Sequence, residues 1–513
     1  MDTTNGKIYL IGAGPGDPGL ITVKAVECIK AADVVVYDYL ASPALLSYAR
    51  QDAEIIYVGK KGGDHTLTQD KINELLAQKG EQGHVVARLK GGDPFIFGRG
   101  GEEAEVLIKR NIDFEVVPGV TSAVAAPAYA GIPLTHRDYT SSVSLITGHE
   151  DPLKETSSIQ WDCLAKSGST LVFLMGVKNL PNIVTQLIKN KKSPQTPVAL
   201  VRWGTTTRQE TVTGTLDDIV EKVKKAKLTP PAIIVVGEVV SLRENMKWFE
   251  NKPLFGKKIV VTRARAQASG LVDKLRQLGA HCVEIPTIKV VAPEDNTPLV
   301  DAIKSLDEYE WIIFTSVNGV KYFFKTLFAQ GLDVRALGHH QFACIGPVTR
   351  DELEKFGIVS DVLPETYRAE SVVAAFTDRG ISGKNILLPR AMEARTILPE
   401  ELRNMGAHVH EVTAYETRQI FNAKNELMAL LNEGRIDMVT FTSSSTVKNF
   451  MALIPQEEQS SLLSKIIHAC IGPITGDTAV SLGLAPKIVA DTYTIDGLVD
   501  AIMAYYSQKE SVS

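Results

Sequence analysis

The run of residues 89–104, LKGGDPFIFGRGGEEA, constrains the fold of this chain more than any other stretch. It holds five glycines, and a core strand would not use so many because each one loses backbone entropy on ordering. The run follows an apolar strand predicted over 84–89 and leads into a helix that starts at Glu102. In open α/β sheets, ligands sit beyond the carboxyl ends of such strands. The run therefore predicts a ligand-binding turn, and a loop that merely reverses the chain is the alternative.

Strands and helices alternate through the first half of the chain, which predicts an α/β fold with mainly parallel sheets. A polar segment over 150–160 divides the series into two lobes, 1–149 and 160–250. Strands are predicted at 7–11, 33–37, 54–58, 84–89, 114–117, 142–147, 170–174, 197–202 and 232–236. Helices are predicted at 22–32, 69–79, 102–110, 122–129, 181–189 and 216–225.

The first strand breaks into a second glycine turn, GAGPGDPG at 12–19. A strand, a glycine turn, a helix and a strand also describe a dinucleotide-binding unit, so a nicotinamide oxidoreductase is the alternative for this half. Its spacing does not fit, because Asp17 stands where the third glycine is needed. Pro15 and Pro18 also remove two amide donors from the turn that would hold a pyrophosphate.

The second half, 257–513, follows a turn-rich linker at 251–256 and contains an internal repeat. IVVTRARAQASGLVDKLRQLGAH recurs as ILLPRAMEARTILPEELRNMGAH, with Arg263 and Arg390 127 residues apart. ACIGPVTRDELEKFGI recurs as ACIGPITGDTAVSLGL, with Gly346 and Gly472 126 residues apart. Two α/β lobes of one pattern are predicted, and the helix N-termini and hydroxyls between them favour an anionic ligand.

Composition limits the classes of partner and the compartment. The net charge of -5 argues against a nucleic-acid-binding protein, whose binding surface is basic. The five cysteines are scattered and never form a CxxC pair, which indicates reduced thiols in a cytoplasmic protein and no cysteine zinc site. No apolar stretch reaches the ~18 residues of a membrane span, and the N-terminus lacks a secretory pattern, so no membrane partner is expected.

Six motifs of the first half together resemble the uroporphyrinogen-III C-methyltransferases of the tetrapyrrole methylase family. They are, in chain order, GAGPGDPGLIT, YDYLAS, GKKGGDHTLTQDKIN, RLKGGDPFIFGRGGEEAE, VVPGVTSAVAAPAYAGIPLTHRDY and TLVFLMG. The resemblance covers about residues 6–248. It implies a two-lobed fold that binds S-adenosylmethionine, without a metal, in the cleft between the lobes. It also implies methylation of uroporphyrinogen III at ring carbons 2 and 7 to give precorrin-2, for either sirohaem or cobalamin.

The resemblance also implies roles for individual residues. Asp38 is the expected base and Lys60 the expected acid; the alternatives are a turn-forming aspartate and an exposed surface charge. The residues expected to contact the methyl donor are Pro15, Gly91, Gly92, Asp93, Ile96, Thr121, Ser122, Met175 and Gly204.

General chemistry agrees with these roles. A carboxylate suits the removal of a proton from an enamine-like ring carbon as the new bond forms. The acceptor carries eight carboxylates, so cationic groups should face the cleft. Arg99, His136 and Arg137 are the candidates, and each has a structural ion pair as its alternative.

The second half resembles uroporphyrinogen-III synthase over about residues 257–505, through FTS, IGP, LLPR and VTAYET elements in the same order. The resemblance implies a cofactor-free cyclisation of hydroxymethylbilane to uroporphyrinogen III. It implies interleaved lobes, one of 257–288 with 416–513 and one of 289–415. A non-catalytic tetrapyrrole-binding module, beside a methylase for another tetrapyrrole, is the alternative.

Hydroxyl groups are the candidate site residues of this half. Tyr415 matches the family's cleft tyrosine and is expected to help the hydroxyl group of the substrate leave; packing alone is the alternative. Ser316, Thr349, Ser444 and Thr475 are expected to bind substrate carboxylates, and helix capping is the alternative for each. The product of this half is the substrate of the first, so one chain is expected to perform consecutive steps. The family also implies a homodimer through the methylase half.

Overall fold

The computed structural model describes residues 6–59, 67–149, 159–262, 265–285, 288–364, 369–377, 379–394, 396–419 and 422–510. The backbone forms two compact units. The first runs to Lys258 and also contains Lys274–His281, and the second comprises Ile259–Asp273 and Cys282–Tyr505. The segment 251–256, predicted as a linker, falls within the first unit, and the domain bounds 1–250 and 257–513 stay a prediction. In the ranges described, no helix combines the length and the hydropathy needed to cross a bilayer.

The first lobe of the first unit is a five-stranded parallel sheet in the order β3-β2-β4-β1-β5. Its strands are β1 (Lys7–Gly12), β2 (Val34–Tyr37), β3 (Glu54–Tyr57), β4 (Val86–Lys90) and β5 (Asp113–Val117). The helices are α1 (Val23–Ala31), α2 (Gln69–Glu81), α3 (Gly100–Lys109) and α4 (Ser122–Tyr129). The strands β1, β2 and β4 are central, and their branched side chains are buried on both faces of the sheet. All five strands therefore end at one edge, where the glycine turns follow.

The second lobe has a mixed sheet in the order β6-β7-β10-β8-β9. Its strands are β6 (Val143–Thr147), β7 (Thr170–Leu174), β8 (Pro197–Arg202), β9 (Glu210–Thr215) and β10 (Ala232–Val236). The helices are α5 (Trp161–Lys166), α6 (Leu180–Lys189), α7 (Ile219–Lys225) and α8 (Arg243–Met246).

The expectation of a mainly parallel sheet is wrong for this lobe. Only β6 and β7 pair in parallel, whereas β10 runs antiparallel to β7 and β8, and β9 runs antiparallel to β8. The physical reason is the unpredicted strand β9, a polar sequence with one glycine. It follows β8 after only the short connection 203–209, and a parallel crossover needs a longer one.

The second unit contains two sheets. One has the order β12-β11-β18-β19-β20 and the other β13-β17-β16-β14-β15. The strands are β11 (Lys258–Val261), β12 (His281–Glu284), β13 (Ile288–Val291), β14 (Trp311–Phe314), β15 (Gln341–Cys344), β16 (Asn385–Ala391), β17 (His408–Gln419), β18 (Met438–Phe441), β19 (Ile467–Cys470) and β20 (Ile488–Val489). The helices are α9 (Arg265–Gln277), α10 (Thr297–Lys304), α11 (Val317–Ala329), α12 (Pro347–Glu354), α13 (Ala369–Phe376), α14 (Ile397–Asn404), α15 (Asn422–Asn432), α16 (Ser444–Ala452), α17 (Gln456–Leu463), α18 (Pro473–Ser481) and α19 (Ile495–Glu510).

The internal repeat is confirmed in the order of these strands. The run β12-β11-β18-β19 in one sheet has the same order as β17-β16-β14-β15 in the other, with each strand replaced by its repeat partner. The strands β14 and β18 start 127 residues apart, and β15 and β19 start 126 residues apart, as the sequence offsets require. The second unit thus consists of two α/β lobes of one pattern.

A close backbone approach in the first lobe generates the first prediction. A Cβ atom at Gly12 would lie 2.4 Å from the Cα atom of Gly119, so Gly12→Ala forces the end of β1 and the turn after β5 apart. We expect a loss of about 1–3 kcal/mol in the free energy of unfolding. Urea unfolding followed by tryptophan fluorescence measures it. Gly101→Ala is the control because no heavy atom lies within 4 Å of that added Cβ, and an equal loss there would contradict the prediction.

The repeat offers a second prediction at His468 in β19, which occupies the position that Phe342 holds in the other lobe. Burial lowers the pKa of His468 below its ordinary value of 6.5. The unfolded chain therefore binds a proton more readily, and this contribution to stability is full above pH 6.5 and is lost as the pH falls.

We expect His468→Phe to reduce the fall in the free energy of unfolding between pH 7 and pH 5. The ring of phenylalanine fits the equivalent position in the repeat, so the fold should tolerate it. Urea unfolding at a series of pH values tests this, with exposed His408→Gln as the control. An unchanged pH dependence in His468→Phe would contradict the prediction.

Candidate functional site

Three glycine-containing turns meet at the carboxyl edge of the first sheet. The turn after β1 joins the turn after β4 through two backbone hydrogen bonds, from Gly14 N to Gly92 O at 3.2 Å and from Gly92 N to Gly14 O at 2.7 Å. Gly119, after β5, packs against both Gly12 and the carbonyl oxygen of Gly92. Gly14 and Gly92 have φ values of 77° and 71°, a conformation that glycine adopts without a steric penalty. This glycine crossing (Gly12, Gly14, Gly92, Gly119) accounts for Gly92, one of the five glycines of the sequence 89–104.

The glycine crossing is tied to the second lobe through Asp17. Its backbone amide donates to Thr205 Oγ1 at 3.1 Å, and its Oδ2 accepts a hydrogen bond from the hydroxyl group of Tyr129 at 2.8 Å. Burial raises the pKa of Tyr129, and the Asp17 carboxylate raises it further. A Cβ atom at Gly204 would lie 2.4 Å from Ala126 Cβ, so the turn after β8 sits directly on α4. The two lobes therefore meet beside the glycine crossing.

Several of the residues predicted to contact the methyl donor lie at this junction. Pro15 stands between Gly14 and Gly16, and Gly16 approaches Gly204 and Thr205. A Cβ atom at Gly92 would lie 3.7 Å from Ser122 N and 3.8 Å from Thr121 Cα. Thr121 is the N-cap of α4, and its hydroxyl accepts from Ala123 N. Thus Pro15, Gly91, Gly92, Thr121, Ser122 and Gly204 belong to one set of adjoining turns.

The carboxylate of Asp93, also expected to contact the methyl donor, accepts hydrogen bonds from backbone amides. One oxygen accepts from the amides of Phe95 and Ile96 at 2.8 and 3.2 Å, and the other accepts from Gly119 N at 3.0 Å. These bonds fix the shape of the turn that follows Gly92.

Two apolar candidates, Ile96 and Met175, have exposed side chains, and Met175 is 53% exposed. Met175 follows β7 directly with a φ of 58°. Positive φ is uncommon for residues other than glycine and concentrates at functional sites. Five such residues lie in the turns around the junction: Phe97, Arg99, Met175, Trp203 and Thr205.

Asp38 follows β2 at the same edge of the sheet. Its Oδ1 accepts from Leu40 N at 3.0 Å, so it does form a turn, and its Oδ2 contacts Arg88 Nη2 at 3.1 Å. The Asp38 side chain is 26% exposed, which leaves it accessible. Lys60, the predicted acid, lies outside the described residues.

The three predicted cationic contacts have different surroundings. Arg99 forms a bidentate pair with Glu102 at 2.8 and 2.6 Å, and this carboxylate raises the pKa of the guanidinium. The structural ion pair considered for Arg99 is therefore present. His136 Nδ1 accepts from Asp138 N at 3.2 Å, and Arg137 is exposed.

Sequence reasoning missed a buried charged group behind Asp38, formed by Arg88, Lys90 and Glu103. Arg88 and Lys90 alternate along β4 and so project to one face, which was the available signal. Glu103, in the first turn of α3, is buried and contacts Lys90 Nζ at 2.5 Å and Gln69 Nε2 at 3.0 Å.

In the second unit, the Tyr415 hydroxyl lies 3.0 Å from Ser316 Oγ, and its ring stacks on Tyr322. Ser316 is also the N-cap of α11 and accepts from Gly319 N. Its repeat partner is the N-cap Ser443, whereas Ser444 accepts from the Thr478 hydroxyl.

The side chains of Thr349 and Thr475 are buried in the first turns of α12 and α18. The capping alternative therefore describes Ser316, and each of the four hydroxyls lies at or near the start of a helix. Among the residues that the structure describes, no group of three or more His, Cys, Asp or Glu side chains is arranged to hold a metal ion.

Comparison with known proteins assigns both units. Residues 7–220 match the family model "Tetrapyrrole (Corrin/Porphyrin) Methylases", and residues 269–500 match "Uroporphyrinogen-III synthase HemD". The "Porphyrin biosynthesis protein HemD" of Ruminiclostridium josui is 40% identical over 499 residues, which are 97% of this chain and 98% of that protein. The chain belongs to the tetrapyrrole methylases joined to uroporphyrinogen-III synthase. It is a bifunctional enzyme of tetrapyrrole biosynthesis.

Two further relatives match the methylase part of this bifunctional enzyme. The "S-adenosyl-L-methionine-dependent uroporphyrinogen III methyltransferase" of Methanosarcina barkeri is 54% identical over 244 residues, 48% of this chain and 96% of that protein. A solved uroporphyrin-III C-methyltransferase from Thermus thermophilus, complexed with S-adenosylhomocysteine, is 38% identical. It covers 46% of this chain and 100% of its own, with a TM-score of 0.40.

The hydrogen bond from Tyr129 to Asp17, both in the first lobe, gives a third prediction. Tyr129→Phe removes the hydroxyl group that donates to Asp17 and leaves the ring in place. We expect a loss of about 1–2 kcal/mol in the free energy of unfolding of the methylase, because the acceptor is charged. Urea unfolding measures the loss, and Tyr139→Phe, at an exposed ring, is the control. Equal stability of the two variants would show that the bond contributes nothing.

Proposed function

We propose that the synthase half cyclises hydroxymethylbilane to uroporphyrinogen III and that the methylase half converts this product to precorrin-2. The second reaction adds methyl groups at ring carbons 2 and 7. The observation that carries the proposal is the junction of glycine turns beside Asp38, in a chain that belongs to both families. The name of the Methanosarcina barkeri relative supports S-adenosylmethionine as the methyl donor.

The residues of the junction fit such a donor. Backbone groups around Gly92 lie beside the start of α4, since an added Cβ at Gly92 would be in van der Waals contact with Ser122 N at 3.7 Å. Exposed apolar side chains at Ile96 and Met175 suit the adenosyl and thioether parts. When bound, S-adenosylmethionine supplies a methyl group that is activated by its sulfonium. The chain's own task is to align the acceptor carbon with that group, because alignment dominates such transfers.

Asp38 is the proposed base. Its carboxylate accepts the proton that the porphyrinogen loses as the new carbon–carbon bond forms. Its partial exposure suits contact with a substrate, and its bonds to Leu40 N and Arg88 hold it in one orientation. Lys60 as acid, and Arg99, His136 and Arg137 as partners of substrate carboxylates, remain part of the proposal.

In the synthase half we propose that Tyr415 assists departure of the substrate hydroxyl. The hydrogen bond to Ser316 supports this by fixing the phenol group. Ser316, Thr349, Ser444 and Thr475 are proposed to orient carboxylates, through helix-terminal backbone amides where their own hydroxyls are buried or engaged. A homodimer through the methylase half, a cytoplasmic location and metal-free catalysis complete the proposal.

One experiment tests both activities in the full chain. Hydroxymethylbilane is supplied with and without S-adenosylmethionine, in the presence of EDTA, and products are identified by mass and isomer analysis. We expect uroporphyrinogen III without the donor and the dimethylated product with it. Type-I macrocycle alone would favour the binding-module alternative for the second half. Methylation of another tetrapyrrole, and not of uroporphyrinogen III, would favour the alternative of a methylase with a different acceptor.

A fourth prediction concerns Asp38→Ala. We expect methyl transfer to fall by about 10²–10⁴-fold, the range typical of a lost general base. Binding of S-adenosylmethionine, measured by calorimetry, should be unchanged. Exposed Asp162→Ala, at the start of α5, is the matched control. Full turnover in the Asp38→Ala protein would remove this residue from the mechanism.

A fifth prediction concerns Tyr415→Phe, which keeps the buried ring and removes the hydroxyl group. We expect slower cyclisation by about 10-fold or more, since a positioned proton donor is lost, with methylation of supplied uroporphyrinogen III unchanged. Tyr322→Phe, which alters the neighbouring stacked ring, is the control. Equal rates of ring closure in the Tyr415→Phe and unmodified proteins would assign Tyr415 to packing.

A further inference from the structure

The buried charges behind Asp38 form a connected quartet of Asp38, Arg88, Glu103 and Lys90. Arg88 Nη2 lies 3.1 Å from Asp38 Oδ2, and its Nε lies 3.5 Å from Glu103 Oε1. The same Glu103 oxygen contacts Lys90 Nζ at 2.5 Å. Exposure falls steeply along the chain of contacts, from 26% at the Asp38 side chain to 3% at Arg88 and 0% at Glu103.

The charges of the quartet balance, with two carboxylates and two cations. Such balance is necessary because an uncompensated charge in a protein interior is strongly destabilising. Lys90 and Glu103 already neutralise one another, and burial, followed by the nearby Arg88 charge, lowers the pKa of Lys90. Arg88 is therefore the cation left to face Asp38.

The hydrogen bonds of Arg88 fix its guanidinium in one place. Nη1 donates to Leu89 O at 2.8 Å, and Nη2 donates to Asp38. The Nε atom of Arg88 and the Oε2 atom of Glu103 are buried without a hydrogen-bond partner among the described residues. Unpaired polar atoms in the interior destabilise the fold. Apolar residues at these positions would therefore make a purely structural core more stable. The quartet therefore acts on Asp38, the one member that reaches solvent.

We propose that Arg88 is a positioning residue for Asp38, held by Glu103, with Lys90 balancing the charge. At 3% exposure its guanidinium does not reach a substrate, so its effect on catalysis passes through the Asp38 carboxylate. With Leu40 N on one oxygen and Arg88 on the other, the carboxylate is fixed at both ends. The inference rests on the proposed function of Asp38 as the base.

A double-mutant cycle tests it in the full chain. The variants are Arg88→Met, Arg88→Lys, Asp38→Asn and Arg88→Met with Asp38→Asn, and Arg110→Met, at a surface pair with Glu74 and Glu81, is the control. The measurements are kcat and KM for methylation of uroporphyrinogen III, the Kd for S-adenosylmethionine and the unfolding midpoint.

We expect Arg88→Met to lower kcat on the order of 10²-fold, as misplacement of a reacting group does. The KM for uroporphyrinogen III and the Kd for S-adenosylmethionine should change by less than about 3-fold, because Arg88 does not contribute to ground-state binding of either molecule. Arg88→Lys should restore part of kcat because it returns the charge. In the Asp38→Asn background, Arg88→Met should lower kcat no further, since residues that act as a unit are not additive.

Three outcomes with the Arg88 variants would overturn the inference. An equal fall in kcat from Arg88→Met in both backgrounds would show that Arg88 acts independently of Asp38. Unchanged kcat in Arg88→Met would show that it does not act at all. A loss of donor affinity and stability in Arg88→Met, not relieved by Arg88→Lys, would assign it to folding. Wild-type turnover in Asp38→Asn would instead refute the proposed base, and with it this inference, whereas an inactive unmodified chain would refute the proposed function itself.

Discussion

The methylase depends on the close approach of three backbone segments at the ends of adjacent strands. Gly12 and Gly119 leave no room for side chains between them, and two hydrogen bonds join the turns at Gly14 and Gly92. Because β1, β4 and β5 are parallel neighbours, their ends meet at one edge, and the turns must pass over one another there. Several of the residues proposed to contact the methyl donor lie next to this crossing, along the turns that form it.

Asp17 and Asp93 show how carboxylates maintain the crossing. Asp93 accepts from three backbone amides around it, and Asp17 connects it to Tyr129 and to the second lobe. Asp38, directly after β2, is different, because its partner is a buried guanidinium and part of its surface remains accessible. Three aspartates at one sheet edge thus have three environments, and those environments, rather than the residue type, separate structural from catalytic candidates.

Much of the fold was predictable because the local signals agreed with one another. Glycines after apolar strands predicted the turns at the ends of β1 and β4, and offsets of 126 and 127 residues predicted the repeated lobes. The local signals failed where tertiary contacts determine strand pairing or burial. The strand β9 has a polar, partly exposed sequence that resembles a loop, so its antiparallel pairing with β8 was not predicted. Glu103 sits in a helical first turn with Glu102, and only its neighbours Lys90 and Gln69 reveal that it is buried.

The candidate site shows the same division. The expectation that Gly91, Gly92, Thr121 and Gly204 contact one ligand came from the family resemblance, and the structure brings them to one junction. The use of Asp93 by backbone amides was not predictable, because a carboxylate after a glycine pair reads equally well as a ligand contact. The buried partner of Asp38 also escaped notice, since a charged residue inside an apolar strand gives no indication of what it faces.

The antiparallel pairing of β13 and β17 brings residues 288 and 419 side by side. Neighbouring strands are about 5 Å apart, so the 132 residues from Ile288 to Gln419 begin and end at almost the same point. A segment with adjoining ends can enter a host chain without stretching it. The two copies of the repeat nevertheless follow one another in tandem, β11-β12-β14-β15 and then β16-β17-β18-β19, so each sheet combines strands of both copies.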